Sequence, residues 1–250
     1  MRQIHKQVNL IIEQGNTSTK VGIFDKNTLV ESKQFRTFGI EPLTSLFRQY
    51  PLSSGIFSTV TDSDKEFVAY LNEHLEHFIN LEEEVKLPIK IGYKTPKTLG
   101  SDRIAAAVGA VAEQPGKDLL VIDAGTCITY ELITSDGLYH GGNISPGLTT
   151  RFRSLHAFTR RLPLIEEAEE VPLTGTTTET AIRAGVVNGI VYEIDGTIDA
   201  VKKTYPSLLV FLTGGHSFYF AGRLKNLIFA DINLVLKGLN RILEYNVDKQ

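Results

Sequence analysis

Leu10-Ile-Ile-Glu-Gln-Gly-Asn-Thr17 is the first of two similar segments in this chain of 250 residues, and Leu120-Val-Ile-Asp-Ala-Gly-Thr126 is the second. Each segment places a carboxylate at the end of an apolar run, a glycine two residues later and a threonine just beyond. Apolar runs rich in Ile and Val predict buried strands, and the glycine predicts a tight turn. The repetition therefore predicts two domains of similar structure.

The sequence after each segment continues the repeat. Strands are predicted at 20–24 and 28–35 in the first copy, and at 128–134 and 138–141 in the second. Each copy is expected to begin with a three-stranded antiparallel meander, followed by helices and further strands. Because Pro115-Gly116 is typical of a linker, the sequence predicts an α/β protein with domains at 1–115 and 116–250.

Three further patterns predict local structure. The apolar spacing of Asp64–Ile79 predicts an amphipathic helix, with a charged helix end at Glu82–Glu84. Three glycines and a proline within Gly141–Gly147 predict a shaped loop that lines a site or connects two elements. Thr176 and Glu179 have the spacing of a capping box at the start of a helix.

Composition limits the classes of partner. A net charge of −3 and an isoelectric point near 6.1 argue against a protein that works on nucleic acid or on an anionic membrane. The single cysteine, Cys127, excludes an intrachain disulfide, and we expect it to pack inside its strand. The apolar runs at 8–12 and 104–112 are too short for a signal peptide or a membrane span. We therefore expect a cytoplasmic protein.

The two acidic turns suggest a nucleotide site. A glycine in a turn lets backbone amides approach a phosphate, and a nearby threonine adds a donor. The carboxylates of Glu13 and Asp123 would repel phosphate, so a cation must lie between them, and Mg²⁺ is commonly held in this way. The sequence contains neither a P-loop nor a G-x-G-x-x-G fingerprint. Two such turns therefore indicate a nucleotide bound through a metal.

Gly100-Ser101-Asp102-Arg103 allows two interpretations. Spacing alone favours a helix start, with Ser101 as the N-cap and Asp102 favourable near the helix N-terminus. The alternative is that Asp102 is a general base and that Arg103 holds an anionic group. Leu212-Thr213-Gly214-Gly215 is similarly open to two interpretations, a plain tight turn or a turn that covers a nucleoside.

Taken in order, these motifs resemble one known family, the type III pantothenate kinases. The resemblance covers nearly the whole chain and depends on the order and spacing of all the motifs together. The matching segments are Glu13–Thr17, Gly100–Arg103, Asp123–Thr126, Gly142–Gly147, Thr178 and Thr213–Gly215.

The resemblance implies a fold, a reaction and partners. The fold is that of the actin, Hsp70 and sugar-kinase superfamily, with two ribonuclease-H-like domains, each a mixed sheet with flanking helices. The reaction is the ATP-dependent phosphorylation of pantothenate to 4'-phosphopantothenate, the first step of coenzyme A biosynthesis. The family uses Mg²⁺ and a monovalent cation, K⁺ or NH₄⁺, and is usually a homodimer. Neither nucleic acid nor a membrane is expected as a partner.

The resemblance also implies roles for particular residues. Asp102 would accept the proton of the pantothenate hydroxyl, and Asp123 would bind the monovalent cation. One set would bind ATP: Glu13, Gln14, Gly15, Asn16, Thr17, Ser18, Thr19, Lys20 and Thr126. A second set would bind pantothenate: Tyr93, Gly100, Ser101, Asp102, Arg103 and Thr178.

One position departs from the family pattern, and two other functions remain open. The family usually has Asp where this chain has Glu13, and the longer side chain puts the position of the metal in doubt. A kinase of another small hydroxylated acid would use the same motifs. A non-catalytic regulator on the same fold is the third hypothesis, although regulators would be expected to lose Asp102.

Overall fold

The computed structural model describes residues 8–62, 64–81 and 85–247. The chain divides into two compact units, one comprising Met1–Pro115 together with Asn233–Gln250 and the other Gly116–Ile232. The strands, in chain order, are β1 Val8–Gln14, β2 Thr19–Asp25, β3 Thr28–Phe35, β4 Leu52–Thr59, β5 His77–Asn80, β6 Lys90–Ile91, β7 Leu119–Ala124, β8 Cys127–Ile133, β9 Leu138–Pro146, β10 Leu209–Thr213 and β11 Phe229–Ala230. The α-helices are α1 Ile40–Gln49, α2 Lys65–His74, α3 Ser101–Glu113, α4 Leu148–Ala157, α5 Thr178–Lys202, α6 Ser217–Ala221 and α7 Leu234–Val247, and Pro96–Thr98 forms a short 3₁₀ helix.

The first unit contains a five-stranded mixed sheet in the order β3-β2-β1-β4-β5. The meander β1-β2-β3 is antiparallel, whereas β4 and β5 run parallel to β1. Side chains alternate between the two faces of a strand, and Leu10 and Ile12 of β1 pack on one face against Leu43 of α1 and Leu71 of α2. Burial of these side chains attaches both helices to that face.

The second unit repeats this topology. Its strands lie in the order β11-β10-β7-β8-β9, again with an antiparallel meander, β7-β8-β9, and with parallel strands on the other side of its first strand. Ile122 of β7 and Tyr130 of β8 belong to one buried cluster with Ile190 and Ile194 of the long helix α5. The predicted α/β class and the predicted pair of meanders are confirmed.

Helix α7 packs on α3 of the first unit, where glycines allow the two backbones to touch. A Cβ atom on Gly238 would lie 1.8 Å from the carbonyl oxygen of Ala105, and one on Gly109 would lie 2.3 Å from that of Leu234. Asn240 adds hydrogen bonds of 2.9 Å from the side chain of Asn9 and to the Lys26 carbonyl. The predicted second domain comprised residues 116–250. In the structure, Asn233–Gln250 group with the first unit instead.

Two predicted elements differ from the structure. Helix α2 ends at His74, and His77–Asn80 form strand β5 instead of the last turn of the predicted helix, because they pair with β4. The predicted loop at Gly141–Gly147 is largely strand β9. It approaches β8 so closely that a Cβ on Gly142 would lie 1.4 Å from the Tyr130 carbonyl oxygen, and only glycine fits there. The predicted charged helix end at Glu82–Glu84 lies outside the described residues.

None of the helices in the described ranges is both long and apolar enough to cross a membrane.

Candidate active site

The first acidic hairpin joins β1 to β2 and is closed by its own backbone. The amide of Gly15 donates to the Ser18 carbonyl oxygen at 3.0 Å, which leaves Asn16 and Thr17 exposed at the tip. Antiparallel pairing places Lys20 of β2 directly across from Glu13 of β1. The hairpin therefore places Lys20 beside the carboxylate of Glu13.

Glu13 carries a buried oxygen that lacks a partner. Its Oε2 atom is inaccessible to solvent and has no hydrogen bond within the part of the chain that the structure describes. Burial raises the pKa of Glu13, the charge of Lys20 lowers it in part, and the negative charge of Asp102 raises it further. A buried carboxylate oxygen without a donor requires a positive group to stabilise its charged form.

Ser101 fixes the start of α3 to the end of β4. Its hydroxyl accepts a hydrogen bond from Ser58 Oγ at 2.8 Å and donates to the Thr59 carbonyl oxygen at 3.2 Å. Ser58 is the parallel neighbour of Glu13 in the sheet, so the first turn of α3 lies at the carboxyl ends of β1 and β4. The N-cap residue is Gly100, not Ser101 as spacing predicted, because the Ser101 side chain bonds to β4 instead of to its own helix.

Asp102 lies in this first turn, close enough to Glu13 for its charge to act on the Glu13 carboxyl. Its Oδ1 atom accepts a hydrogen bond from the amide of Arg103 at 2.8 Å. A Cβ on Gly100 would lie 2.5 Å from the same oxygen, so a larger residue there would displace the carboxylate. The structure thus brings Glu13 and Asp102 together in the first unit.

Arg103 is nearly buried, with 6% of its surface exposed. Its guanidinium carbon lies 5.9 Å from the ring centroid of Tyr93, within the range of a cation–π contact. The ring of Tyr93 therefore helps to orient the Arg103 side chain. The first unit thus places five members of the predicted pantothenate set: Tyr93, Gly100, Ser101, Asp102 and Arg103.

The second acidic hairpin joins β7 to β8 and is held against the turn after β10. Within the hairpin, the Gly125 amide donates to the Cys127 carbonyl at 2.9 Å, and the His216 amide donates to the Ala124 carbonyl at 3.0 Å. Gly214 has a positive φ of 92°, and a Cβ there would lie 2.4 Å from Asp123 Oδ1. Only glycine allows the turn after β10 to approach the Asp123 carboxylate so closely.

Between the end of β10 and the start of α6, three buried side-chain atoms lack hydrogen bonds among the described residues: Thr213 Oγ1, His216 Nδ1 and Ser217 Oγ. Thr213 is the parallel neighbour of Asp123. Buried polar atoms are normally satisfied, so these three atoms are available to hydrogen-bond to water or to a polar ligand. Sequence reasoning singled out Thr213 but missed His216 and Ser217, which carry no motif signal beyond following a glycine turn.

The remaining predicted residues of the second unit lie on its surface. Thr126 is exposed at the hairpin tip, and Cys127 is exposed as well, so the prediction that this cysteine packs inside its strand is wrong. Thr178 is the first residue of α5 and is exposed. The N-cap is Thr177, and its capping box uses Thr180. The observed capping box, Thr177 and Thr180, thus lies one residue later than the predicted box of Thr176 and Glu179.

Each unit offers oxygen atoms of the kind that hard cations bind. Among residues 8–62, 64–81 and 85–247 there is no group of three or more His, Cys, Asp or Glu that could hold a metal by itself. Mg²⁺ typically uses one or two carboxylates, with phosphates and water completing its coordination. The unpartnered Oε2 of Glu13 supplies such an oxygen in the first unit. In the second, Asp123 and the Thr213 hydroxyl are neighbouring oxygen donors.

Comparison with known structures shows the fold, which this chain shares with two solved proteins. A Campylobacter jejuni protein described as a Baf family transcriptional activator matches 96% of this chain and 99% of its own with a TM-score of 0.62 at 23% identity. The activator of the 2-hydroxyisocaproyl-CoA dehydratase from Clostridium difficile, solved with bound ADPNP, matches 97% and 95% with a TM-score of 0.52 at 12% identity. These likenesses establish the fold.

Sequence comparison then defines the family. The family model of type III pantothenate kinase matches residues 9–200. The type III pantothenate kinase of Bacteroides fragilis strain YCH46 is 52% identical over 239 residues, which are 96% of this chain and 98% of the relative. That of Phocaeicola vulgatus is 50% identical, over 96% and 99%. The chain belongs to the type III pantothenate kinase family, and the resemblance predicted from its motifs is confirmed.

Proposed function

We propose that this protein transfers the γ-phosphoryl group of ATP to the hydroxyl group of pantothenate, which yields 4'-phosphopantothenate and ADP and begins coenzyme A biosynthesis. Membership of the family over nearly the whole chain supports the reaction. The observation that carries the mechanism is the placement of Asp102 in the first turn of α3, beside Glu13 at the carboxyl ends of β1 and β4. In this proposal, the pantothenate hydroxyl and the metal-bound phosphate would meet at the Asp102 carboxylate.

Asp102 acts as the general base in this proposal. Its one hydrogen bond among the described residues is the bond from the Arg103 amide to Oδ1, so Oδ2 remains to accept the hydroxyl proton. The pantothenate oxygen then forms a bond to the γ-phosphorus as the bond from that phosphorus to the β-bridging oxygen breaks, and ADP leaves with those electrons. Positioning and charge neutralisation supply most of the rate enhancement, and the base adds to it.

Arg103 and Tyr93 hold the acidic substrate. A guanidinium can bind a carboxylate through two parallel hydrogen bonds, and the near burial of Arg103 strengthens such a contact by excluding water. Gly100 and Ser101 shape the same helix start, where backbone amides favour an anion. The family resemblance also assigns Thr178, the first residue of α5, to pantothenate.

The two acidic hairpins bind the ATP phosphates. In the first, the turn residues Gln14, Gly15, Asn16, Thr17, Ser18 and Thr19 would line the phosphates, with Asn16 and Thr17 exposed at the tip, and Lys20 offers a positive charge. In the second, Thr126 has the corresponding position after Gly125. Backbone amides in tight turns form concave anion sites of this kind.

Glu13 would hold Mg²⁺, and Asp123 a monovalent cation, K⁺ or NH₄⁺. When bound, Mg²⁺ neutralises the charge that develops on the transferred phosphoryl group. The unpartnered Oε2 of Glu13 supports the first assignment. The neighbouring Thr213 hydroxyl, also without a partner among the described residues, supports the second because oxygen ligands suit hard cations.

We further propose that the protein is a cytoplasmic homodimer. The family resemblance supports this state, and Ile144 of β9 and Tyr192 of α5, which are 63% and 61% exposed, are apolar side chains available to a contact. Light scattering coupled to gel filtration tests this state directly. A mass equal to one chain at micromolar concentration would contradict it.

ADP formation with purified enzyme, ATP, Mg²⁺ and pantothenate tests the proposed reaction, with and without K⁺. The wild type should release ADP only when pantothenate is present, and Asp102→Asn should reduce kcat by about 100-fold or more. Asn keeps the shape of the side chain and removes its basicity. Equal rates for the two proteins, or no pantothenate-dependent ADP from the wild type, would overturn the proposal.

A further inference from the structure

Helix α4 begins directly beneath the tip of the second hairpin. The carbonyl oxygen of Thr126 accepts two hydrogen bonds from this helix start, one from the Gly147 amide at 3.0 Å and one from Thr150 Oγ1 at 2.7 Å. The peptide bond after Thr126 is trans and planar. Fixing the Thr126 carbonyl therefore also fixes the amide of Cys127, which points away from α4.

The hairpin and the start of α4 are so close that no side chain fits between their backbones at Gly147. A Cβ on Gly147 would lie 2.2 Å from the Gly125 carbonyl oxygen and 2.6 Å from that of Thr126. The backbone of the helix start thus lies directly against the backbone of the turn. A small displacement of α4 would move the residues that the proposed function assigns to the phosphates of ATP.

Arg151, the next residue of α4, ties the helix start to α5. Its Nε atom donates to the Pro146 carbonyl at 2.8 Å, and its Nη2 atom forms a hydrogen-bonded ion pair with Oε2 of Glu193 on α5. The other oxygen of Glu193 accepts hydrogen bonds from Ser145 Oγ at 2.5 Å and from the Tyr130 hydroxyl at 2.8 Å. One carboxylate thus joins β8, β9, α4 and α5.

Near neutral pH, the groups around Glu193 have the protonation states that these hydrogen bonds need. Partial burial by itself would raise the pKa of Glu193, but three donated hydrogen bonds and the charge of Arg151 outweigh burial and lower it. Burial and the adjacent carboxylate raise the pKa of Tyr130. Near neutral pH, Glu193 is therefore an anion and Tyr130 remains a hydrogen-bond donor.

We propose that Thr150, Arg151 and Glu193 are positioning residues for the nucleotide, which hold the Asp123–Thr126 hairpin in the conformation that receives the phosphates of ATP. The inference rests on the proposed function, because it takes this hairpin as part of the ATP site. Thr150 acts directly on the Thr126 carbonyl. Arg151 and Glu193 act one step further away, by holding the start of α4.

Two variants at Thr150 separate the hydroxyl from the shape of the side chain. Thr150→Val keeps the shape and removes the donor, and it should raise KM for ATP by about tenfold, the effect of about one lost hydrogen bond of 1.4 kcal/mol. Thr150→Ser keeps the donor and should stay within about twofold of wild type. Neither variant should change KM for pantothenate by more than about twofold, because the first unit carries most of the predicted pantothenate set.

Glu193→Gln tests the anchor. It removes the charge that pairs with Arg151 and should raise KM for ATP by about threefold or more. Asp199→Asn is the matched control, since Asp199 lies on the same helix and pairs with Lys225 at 2.6 Å on the surface, away from α4. It should leave both KM values unchanged.

Calorimetric titration with ADP and Mg²⁺ measures nucleotide binding without turnover, and thermal melting reports folding. Weaker ADP binding by Thr150→Val with restoration in Thr150→Ser supports the proposal, even if pantothenate proves to be the wrong substrate. Two results would overturn it. One is a lower melting temperature of Thr150→Val with unchanged nucleotide affinity. The other is equal loss in the Ser and Val variants. If Thr150→Val does not fold, unchanged ADP binding by Glu193→Gln is the decisive contrary result.

Discussion

Asp102 lies near Glu13, and its negative charge adds to burial in raising the pKa of the Glu13 carboxyl. Two carboxylates in one partly buried place repel each other, and a cation between or beside them relieves that repulsion. The proposed general base, Asp102, and the proposed Mg²⁺ ligand, Glu13, therefore belong to one site. The Glu13 Oε2 atom reaches a buried point where the described residues give it no hydrogen-bond partner, and the proposal assigns that oxygen to the metal.

Glu13→Gln should raise the concentration of Mg²⁺ needed for half-maximal activity by about tenfold. The amide keeps the size of the side chain but loses the negative charge that attracts the metal. Glu13→Asp, which restores the usual residue of the family, should keep the wild-type requirement within about threefold. Mg²⁺ titrations of ADP formation measure both. An unchanged requirement in Glu13→Gln would remove Glu13 from the metal site.

Gly214→Ala should destabilise the protein by about 1–3 kcal/mol, because alanine is strained at a φ of 92° and its Cβ would collide with Asp123. Displacement of Asp123 should also weaken activation by K⁺. The free energy of unfolding in urea and the K⁺ dependence of ADP formation check the two effects. Gly215→Ala is the control for stability, since a Cβ there meets nothing within 4 Å. A similar loss of stability in both variants would contradict the role of the close approach.

Gly238→Ala should cost about 1–3 kcal/mol of stability, because its Cβ would lie 1.8 Å from the Ala105 carbonyl and would force α7 away from α3. Gly196→Ala in α5 is the matched control. A Cβ at Gly196 has no contact within 4 Å, so this change should stabilise by about 0.5–1 kcal/mol through helix propensity. Urea unfolding of both variants measures the difference, and equal effects would show that the helix contact is not tight.

Glu193→Gln should lower the free energy of unfolding at pH 7 by about 1 kcal/mol. Because the pKa of Glu193 is lower in the folded protein than the ordinary value of 4.5, its ionised form stabilises the fold above that value. The stabilisation is lost as pH falls through the lowered pKa. Urea unfolding of both proteins between pH 7 and pH 4 should show the difference shrinking at the acid end. A constant difference would contradict this origin.

Patterns within single strands made the two meanders predictable. The runs Leu10–Ile12 and Leu120–Ile122 are apolar, rich in β-branched residues and followed by glycine turns, so strand and turn could both be recognised. Strand β5 could not be predicted in this way, because Leu75 and Phe78 continue the helical spacing of α2. His77–Asn80 form a strand only because they pair with β4. Tertiary contact decides such short edge segments.

The site was predictable where a motif marks it, and less so elsewhere. Asp102 was identified through the resemblance, since spacing alone favoured a plain helix start. The bond from Ser101 to the end of β4, which places Asp102 beside Glu13, joins residues more than 40 positions apart and leaves no local pattern. The same holds for Glu193, which meets Arg151 and Tyr130 only through the fold.

The packing of α7 on α3 has a consequence for synthesis on the ribosome. Residues 116–232 are translated after the sheet of the first unit and before the helix that covers Ala105 and Gly109. Until residues 234–247 emerge, that surface of α3 lacks its partner, while the second unit already has all of its own chain. The second unit is thus able to fold before the first is complete, and a nascent chain that stalls before residue 234 would expose apolar surface to chaperones and proteases.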